Sequence, residues 1–125
     1  MRIEVLPQAL TVCKVGDIAR IDLSRPLFFI GKTDRELSLV CETRDTPART
    51  LEREDGWRGF RVAGTLDFSL VGILSRLSGI LAAEGIGIFA VSTYDTDYIL
   101  VKRDNLDRAL RALAGAGYEV DDALQ

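Results

Sequence analysis

The sequence contains no histidine, the side chain whose ordinary pKa lies nearest neutral pH and the commonest metal ligand. Enzyme classes that rest on an imidazole base or a His-bound metal drop out with it. Cysteine is scarce: Cys13 and Cys41 are the only two, and they lie in no Cys-x-x-Cys pair. Neither a zinc site nor a dithiol motif is indicated, and free buried thiols are expected. Lys and Arg number 16 against 19 Asp and Glu, for a formal charge of −3. The basic residues are scattered singly and form no stripe that could follow a phosphate backbone, so no nucleic acid is expected as a partner. No apolar run approaches membrane-spanning length, and Glu4 and Pro7 interrupt the first residues before a signal-peptide core could form. The reading is a cytoplasmic chain with no membrane partner.

What is present is an ordinary globular composition, 47% hydrophobic and 28% charged over 125 residues. That length fits one domain, or two very small ones sharing a core.

The second half is the more regular. Residues 59–64 alternate apolar and polar, which predicts a strand with Phe60 and Val62 inward. In residues 70–84, Leu70, Ile73, Leu74, Leu77, Ile80 and Leu81 recur at helical spacing. Ser69 or Asp67 can cap that helix and Gly85 can end it. Residues 86–94 and 98–102, rich in β-branched and aromatic side chains around Asp95, Thr96 and Asp97, read as a hairpin. Asn105 is expected to cap a second helix with the stripe Leu106, Ala109, Leu110 and Leu113, laced by Asp104 and Asp107 pairing with Arg108 and Arg111. Residues 118–120 make a last short strand. The order strand, helix, strand, strand, helix, strand is the split βαβ pattern, and an antiparallel sheet is expected.

The first half reads as a strand at residues 2–6 and a hairpin of 27–30 with 36–41 around Thr33, Asp34 and Arg35. No long amphipathic helix separates them. Sliding the chain by 61 positions lays Phe28 on Phe89, Asp34 on Asp95 and Val40 on Val101, so the hairpins form a repeat or converge for local reasons. Thr46 and Pro47 followed by 49–54 look like a highly charged turn or linker, with the boundary near Gly56.

Two stretches carry chemistry. Asp67, Phe68, Ser69, Leu70, Val71 and Gly72 form a strand-to-helix turn whose free amides and positive helix end suit an anion such as a carboxylate. The other reading is a simple helix cap. Ser92, Thr93, Tyr94, Asp95, Thr96 and Asp97 crowd hydroxyls and carboxylates at a turn, suited to an ammonium or guanidinium. The other reading is a solvated turn with local hydrogen bonds. Gly85 to Gly87 reads as a helix stop and strand entry, bordering a crevice at most.

In this order, residues 67–74, 81–88 and 92–101 resemble the ACT domains, and the chain looks like the small bacterial double-ACT proteins, similar to the ACT repeats of animal arginine sensors. Ser38 to Cys41 extends the likeness into the first half. The resemblance implies an α+β fold of tandem ferredoxin-like (βαββαβ) ACT units, the first degenerate, with antiparallel sheets and helices on one face. The division expected is a degenerate unit at 1–56 and an ACT domain at 57–125. It implies an amino-acid-like ligand held between units, with Asp67 to Gly72 as one wall and Ile86, Gly87, Ile88, Thr93, Asp95, Thr96 and Asp97 as the other. Many amino-acid-binding ACT domains have an Asp-x-Pro-Gly turn, whereas Leu70 and Val71 precede Gly72 here.

The function expected is therefore a non-enzymatic regulatory module that binds a small ligand and needs no cofactor or metal. Its alternative is a ligand-independent protein–protein interaction or dimerisation module. A homodimer is expected from open sheet edges and a bare sheet face, together with a regulated protein partner.

Overall fold

A computed structural model describes residues 1–19, 21–63 and 72–122. The strands are β1 (Arg2–Val5), β2 (Leu10–Lys14), β3 (Phe28–Lys32), β4 (Leu37–Glu42), β5 (Glu52–Val62), β6 (Phe89–Ser92), β7 (Asp97–Lys102) and β8 (Glu119–Asp121). The helices are α1 (Ile73–Ala83) and α2 (Leu106–Gly115). The compact units are Met1–Pro7 with Arg58–Gln125, and Gln8–Trp57. The expected division had put all of 1–56 in one unit. Met1–Pro7 sides with the later residues because β1 pairs with the end of β5 and with β8.

In the larger unit, β5, α1, β6, β7, α2 and β8 follow in the expected βαββαβ order. Phe60 and Val62 are buried as the alternation predicts, with Arg61 turned the other way. They join Ile3 and Val5 of β1, Ile99 and Val101 of β7, Leu77 and Leu81 of α1, and Ala109 and Leu113 of α2 in one cluster. Both helices therefore cover the same face of the sheet. Each fully buried leucine there contributes roughly 1.5–3 kcal/mol of transfer free energy. The sheet is not wholly antiparallel, as had been expected. β1 lies between β5 and β8, antiparallel to the first (Ile3 opposite Val62) and parallel to the second (Ile3 opposite Val120). Since β8 runs opposite to β5 in a split βαβ sheet, a strand inserted between them and antiparallel to β5 must run with β8.

The helix ends differ from expectation in their caps. The residue ahead of α1 is Gly72, left-handed at φ 81°, rather than Ser69 or Asp67. At the far end Gly85 is also left-handed, at φ 70°, and Ile86 N donates to Leu81 O at 3.0 Å, as a glycine stop requires. Asn105 precedes α2 but its side chain caps nothing, because a 3-10 turn, Arg103–Asn105, already winds into the helix. Its Oδ1 instead accepts from Arg108 Nη2 at 3.2 Å. The expected ion pairs of Asp104 and Asp107 with Arg108 and Arg111 do not form among the described residues.

In the smaller unit β3, β4, β2 and the first part of β5 pair antiparallel in that order. β2 has no counterpart in the sequence reading. Leu10 and Thr11 are both fully buried, and the register shifts between Leu10 and Val12, so the alternation that marks a strand is blurred. The charged stretch read as a linker is strand from Glu52 onward. Its side chains stay in solvent, and pairing of Glu52, Arg53 and Glu54 with Lys14, Cys13 and Val12 holds it. No α-helix occurs among the described residues of this unit, which has a single 3-10 turn, Thr43–Asp45.

The two hairpins match at 60 positions rather than 61. Thr33 N donates to Glu36 O at 2.9 Å, and Thr93 N to Thr96 O at 2.9 Å. The 3-10 turns Thr43–Asp45 and Arg103–Asn105 follow at the same spacing. A slip of one residue turns every side chain to the other face, and the match at 60 lays buried Leu39 and Cys41 on Ile99 and Val101 of the larger core.

Candidate ligand site

The hydroxyl-rich turn between β6 and β7 is tightly built. Thr93 Oγ1 donates to Thr96 O at 3.0 Å and accepts from Thr96 N at 3.4 Å. Ser92 Oγ donates to Asp97 Oδ1 at 2.7 Å across the strand pair. Thr96 is 7% exposed, and its Oγ1 donates to Val62 O at 2.8 Å. That bond fastens the turn to the last residue of β5, where the chain enters residues 63–72 and then α1. Asp95 stands in solvent beside Tyr94, which is 79% exposed, and Asp97 is half-buried.

Of the expected first wall only Gly72 is among the described residues; Asp67, Phe68, Ser69, Leu70 and Val71 lie outside them. Among the described residues a side chain at Gly72 would meet nothing within 4 Å, so the glycine answers to its positive φ rather than to crowding. Arg76 N closes the first turn onto Gly72 O at 2.8 Å. On the second wall, Ile86 is buried and belongs to the core, Ile88 packs against that core, and Gly87 is exposed. Thr93, Asp95, Thr96 and Asp97 share the one turn. The structure thus brings together the turn and the end of β5.

Two features escaped the sequence reading. On the sheet face away from the helices, Arg61 Nε donates to Glu4 Oε1 at 3.1 Å and Arg61 Nη1 to Tyr98 Oη at 3.3 Å. The guanidinium carbon lies 5.8 Å from the Tyr98 ring centroid. The Tyr98 hydrogen bond, more than Glu4, raises the pKa of Arg61 further. The alternation of β1, β5 and β7 would have put these three side chains on one face had the strand order been known. The second feature is a cleft in the smaller unit, lined by segments that carry no recognisable motif. Among the described residues no group of three His, Cys, Asp or Glu side chains could hold a metal ion, and no helix is long and apolar enough to cross a membrane.

Comparison with known proteins bears on the whole chain. Among curated proteins none matches. A crystallised protein from Agrobacterium tumefaciens is 30% identical, with 96% of this chain and 91% of that one covered at a TM-score of 0.84. A protein of unknown function from Vibrio cholerae, described as a possible transport protein, is 22% identical over 89% of this chain and 85% of its own at 0.73. The ligand-free regulatory subunit of aspartate kinase from Thermus thermophilus shares the fold at 10% identity and a TM-score of 0.64, over 94% of this chain and 98% of its own. The model of the ACT domain matches residues 52–115, from the start of β5 to the end of α2. A match over half of the sequence, on the first five of the six elements of the βαββαβ order, means that this chain belongs to the ACT domain family.

Proposed function

We propose that the protein is a cytoplasmic, non-enzymatic regulatory module that binds a small amino-acid-like ligand at an interface between ACT units. The carrying observation is the Thr96 to Val62 bond, which holds Thr93, Asp95 and Asp97 at the end of β5 that leads into Asp67–Gly72. An amino acid needs an acceptor-rich pocket for its ammonium and free amides for its carboxylate. Asp95 and Asp97 supply the first, and the turn ahead of α1 would supply the second. The regulatory role is supported by the family and by the shared fold of the Thermus thermophilus aspartate kinase regulatory subunit. The smaller unit serves as a degenerate second ACT unit, a reading supported by its matching hairpin turn and 3-10 turn. A homodimer, with a regulated protein as its partner, completes the proposal; β6 and β8 stand at the ends of the pairing order of the larger unit.

The exposed Tyr94 at the tip of the turn favours a second reading, ligand-independent docking through that tip. Thermal unfolding with each standard amino acid separates the two. A ligand at a hundred times its Kd stabilises the native state by about 2.7 kcal/mol, a shift of several degrees. A shift for one chemical class, lost in Asp97→Ala, supports the sensor. No shift for any amino acid would leave docking as the better account.

A further inference from the structure

The smaller unit holds a cleft of about 650 Å³, in the range of roughly 300–1,000 Å³ typical of small-molecule sites. Val15, Asp17 and Ile21, from the segment after β2, wall one side, and Arg49, Thr50 and Leu51, ahead of β5, wall the other. Both walls are held in place. Leu51 N donates to Lys14 O at 2.7 Å and Val15 N to Leu37 O at 3.0 Å. Asp17 Oδ1 accepts from Ala19 N at 2.8 Å, which folds the first segment back on itself. Arg25 Nε lies 3.0 Å from Asp45 Oδ1, linking the downstream part of that segment to the 3-10 turn just before Pro47.

The chemistry of the walls is mixed. Val15 is buried with Cys13 and Leu39, and Ile21 packs against them, giving an apolar floor. Leu51 is 66% exposed, a large apolar side chain left in water on the cleft wall. Asp17 and Arg49 place opposite charges on the same lining without an ion pair between them, and Arg49 has no partner among the described residues. A lone guanidinium suits one carboxylate, which it can grip with two parallel hydrogen bonds. A phosphate group would call for more cations than the described residues of the lining offer.

We propose that this cleft is a separate binding site for a free apolar amino acid. Arg49 takes the carboxylate, the second oxygen of Asp17 takes the ammonium, and Val15, Ile21 and Leu51 enclose the side chain. The site lies wholly within Gln8–Trp57 and stands whether or not the turn at Thr93–Asp97 binds anything.

The test is calorimetric titration of the full chain with L-leucine, L-methionine and L-phenylalanine, and with isocaproate, which is leucine without its ammonium. Saturable binding of at least one of the amino acids is expected, weaker binding of isocaproate, and a loss of roughly ten- to a hundredfold in affinity in Arg49→Gln. Leu51→Ser, at an exposed position that the fold does not need, should also weaken binding, and Arg111→Gln, exposed on α2 and outside both sites, should leave it unchanged. Absence of saturable binding by all three amino acids overturns the proposal, as does full affinity in Arg49→Gln. Binding lost in Asp97→Asn but kept in Arg49→Gln would move the ligand to the turn of the larger unit, upholding the other site and refuting this one.

Discussion

Thr96 donates its hydroxyl to the carbonyl of Val62 at 2.8 Å from a position only 7% exposed to solvent. A polar bond inside the fold, thirty-four residues apart in sequence, is what keeps the β6–β7 turn against the end of β5. Thr96→Val keeps the shape, removes the donor and strands a buried carbonyl, so a loss of about 1–3 kcal/mol is expected. Thr93→Val, at an exposed position, should cost less. Urea titrations with an unchanged slope would read both, and equal costs would mean that the buried bond does not hold the turn.

Gly72→Ala is expected to destabilise by about 1–2 kcal/mol, since a side chain at φ 81° is strained even where nothing stands in its way. The positive φ makes the effect conformational rather than steric. A variant as stable as the parent would show that the turn ahead of α1 readjusts freely.

Leu77→Ala opens a cavity between α1 and the sheet at a position with no solvent exposure, and a loss of about 3–5 kcal/mol should follow. Leu51→Ala, at an exposed site, should stay within about 0.5 kcal/mol. The contrast is read from thermal midpoints, and a small effect at Leu77 would contradict the core described above.

Burial pushes the thiols of both Cys13 and Cys41 above their ordinary value of 9.0, each reinforced by neighbouring negative charge, although the Thr46 hydroxyl partly offsets the rise at Cys41. An acid whose pKa is raised on folding keeps its proton longer in the native state, so stability is full below the unfolded value and falls as pH rises through the folded one. Stability should therefore decline above about pH 9, and more shallowly in Cys13→Ala with Cys41→Ala. A pH profile identical in parent and double variant would remove the thiols as its cause.

Much of the larger unit was legible because its signals are local. The stripes through Leu77 and Leu81 and through Ala109 and Leu113, the glycine stop at Gly85 and the hairpin around Asp95 depend on residues a few positions apart. The missing pieces depend on distant partners. Glu52 to Glu54 form strand because β2 lies beside them, though their charges read as a linker. The parallel pairing of β1 with β8 joins the two ends of the described chain, where no periodicity can reveal it. The repeat of the hairpins was visible but one residue out of step, since alternation alone does not say which face is inward. At the candidate site, the acceptors of the turn could be read directly, whereas the inward hydroxyl of Thr96 could not be told from its solvent-facing neighbours.

The insertion of β1 between β5 and β8 also sets a timetable. Translation produces Arg2 before, and its neighbour Glu119 after, every other strand and helix of that unit. β1 must therefore wait, unpaired on the edge that β8 will take, until that last strand of the unit has been made. Such long-range closure makes for slow, late folding of that edge.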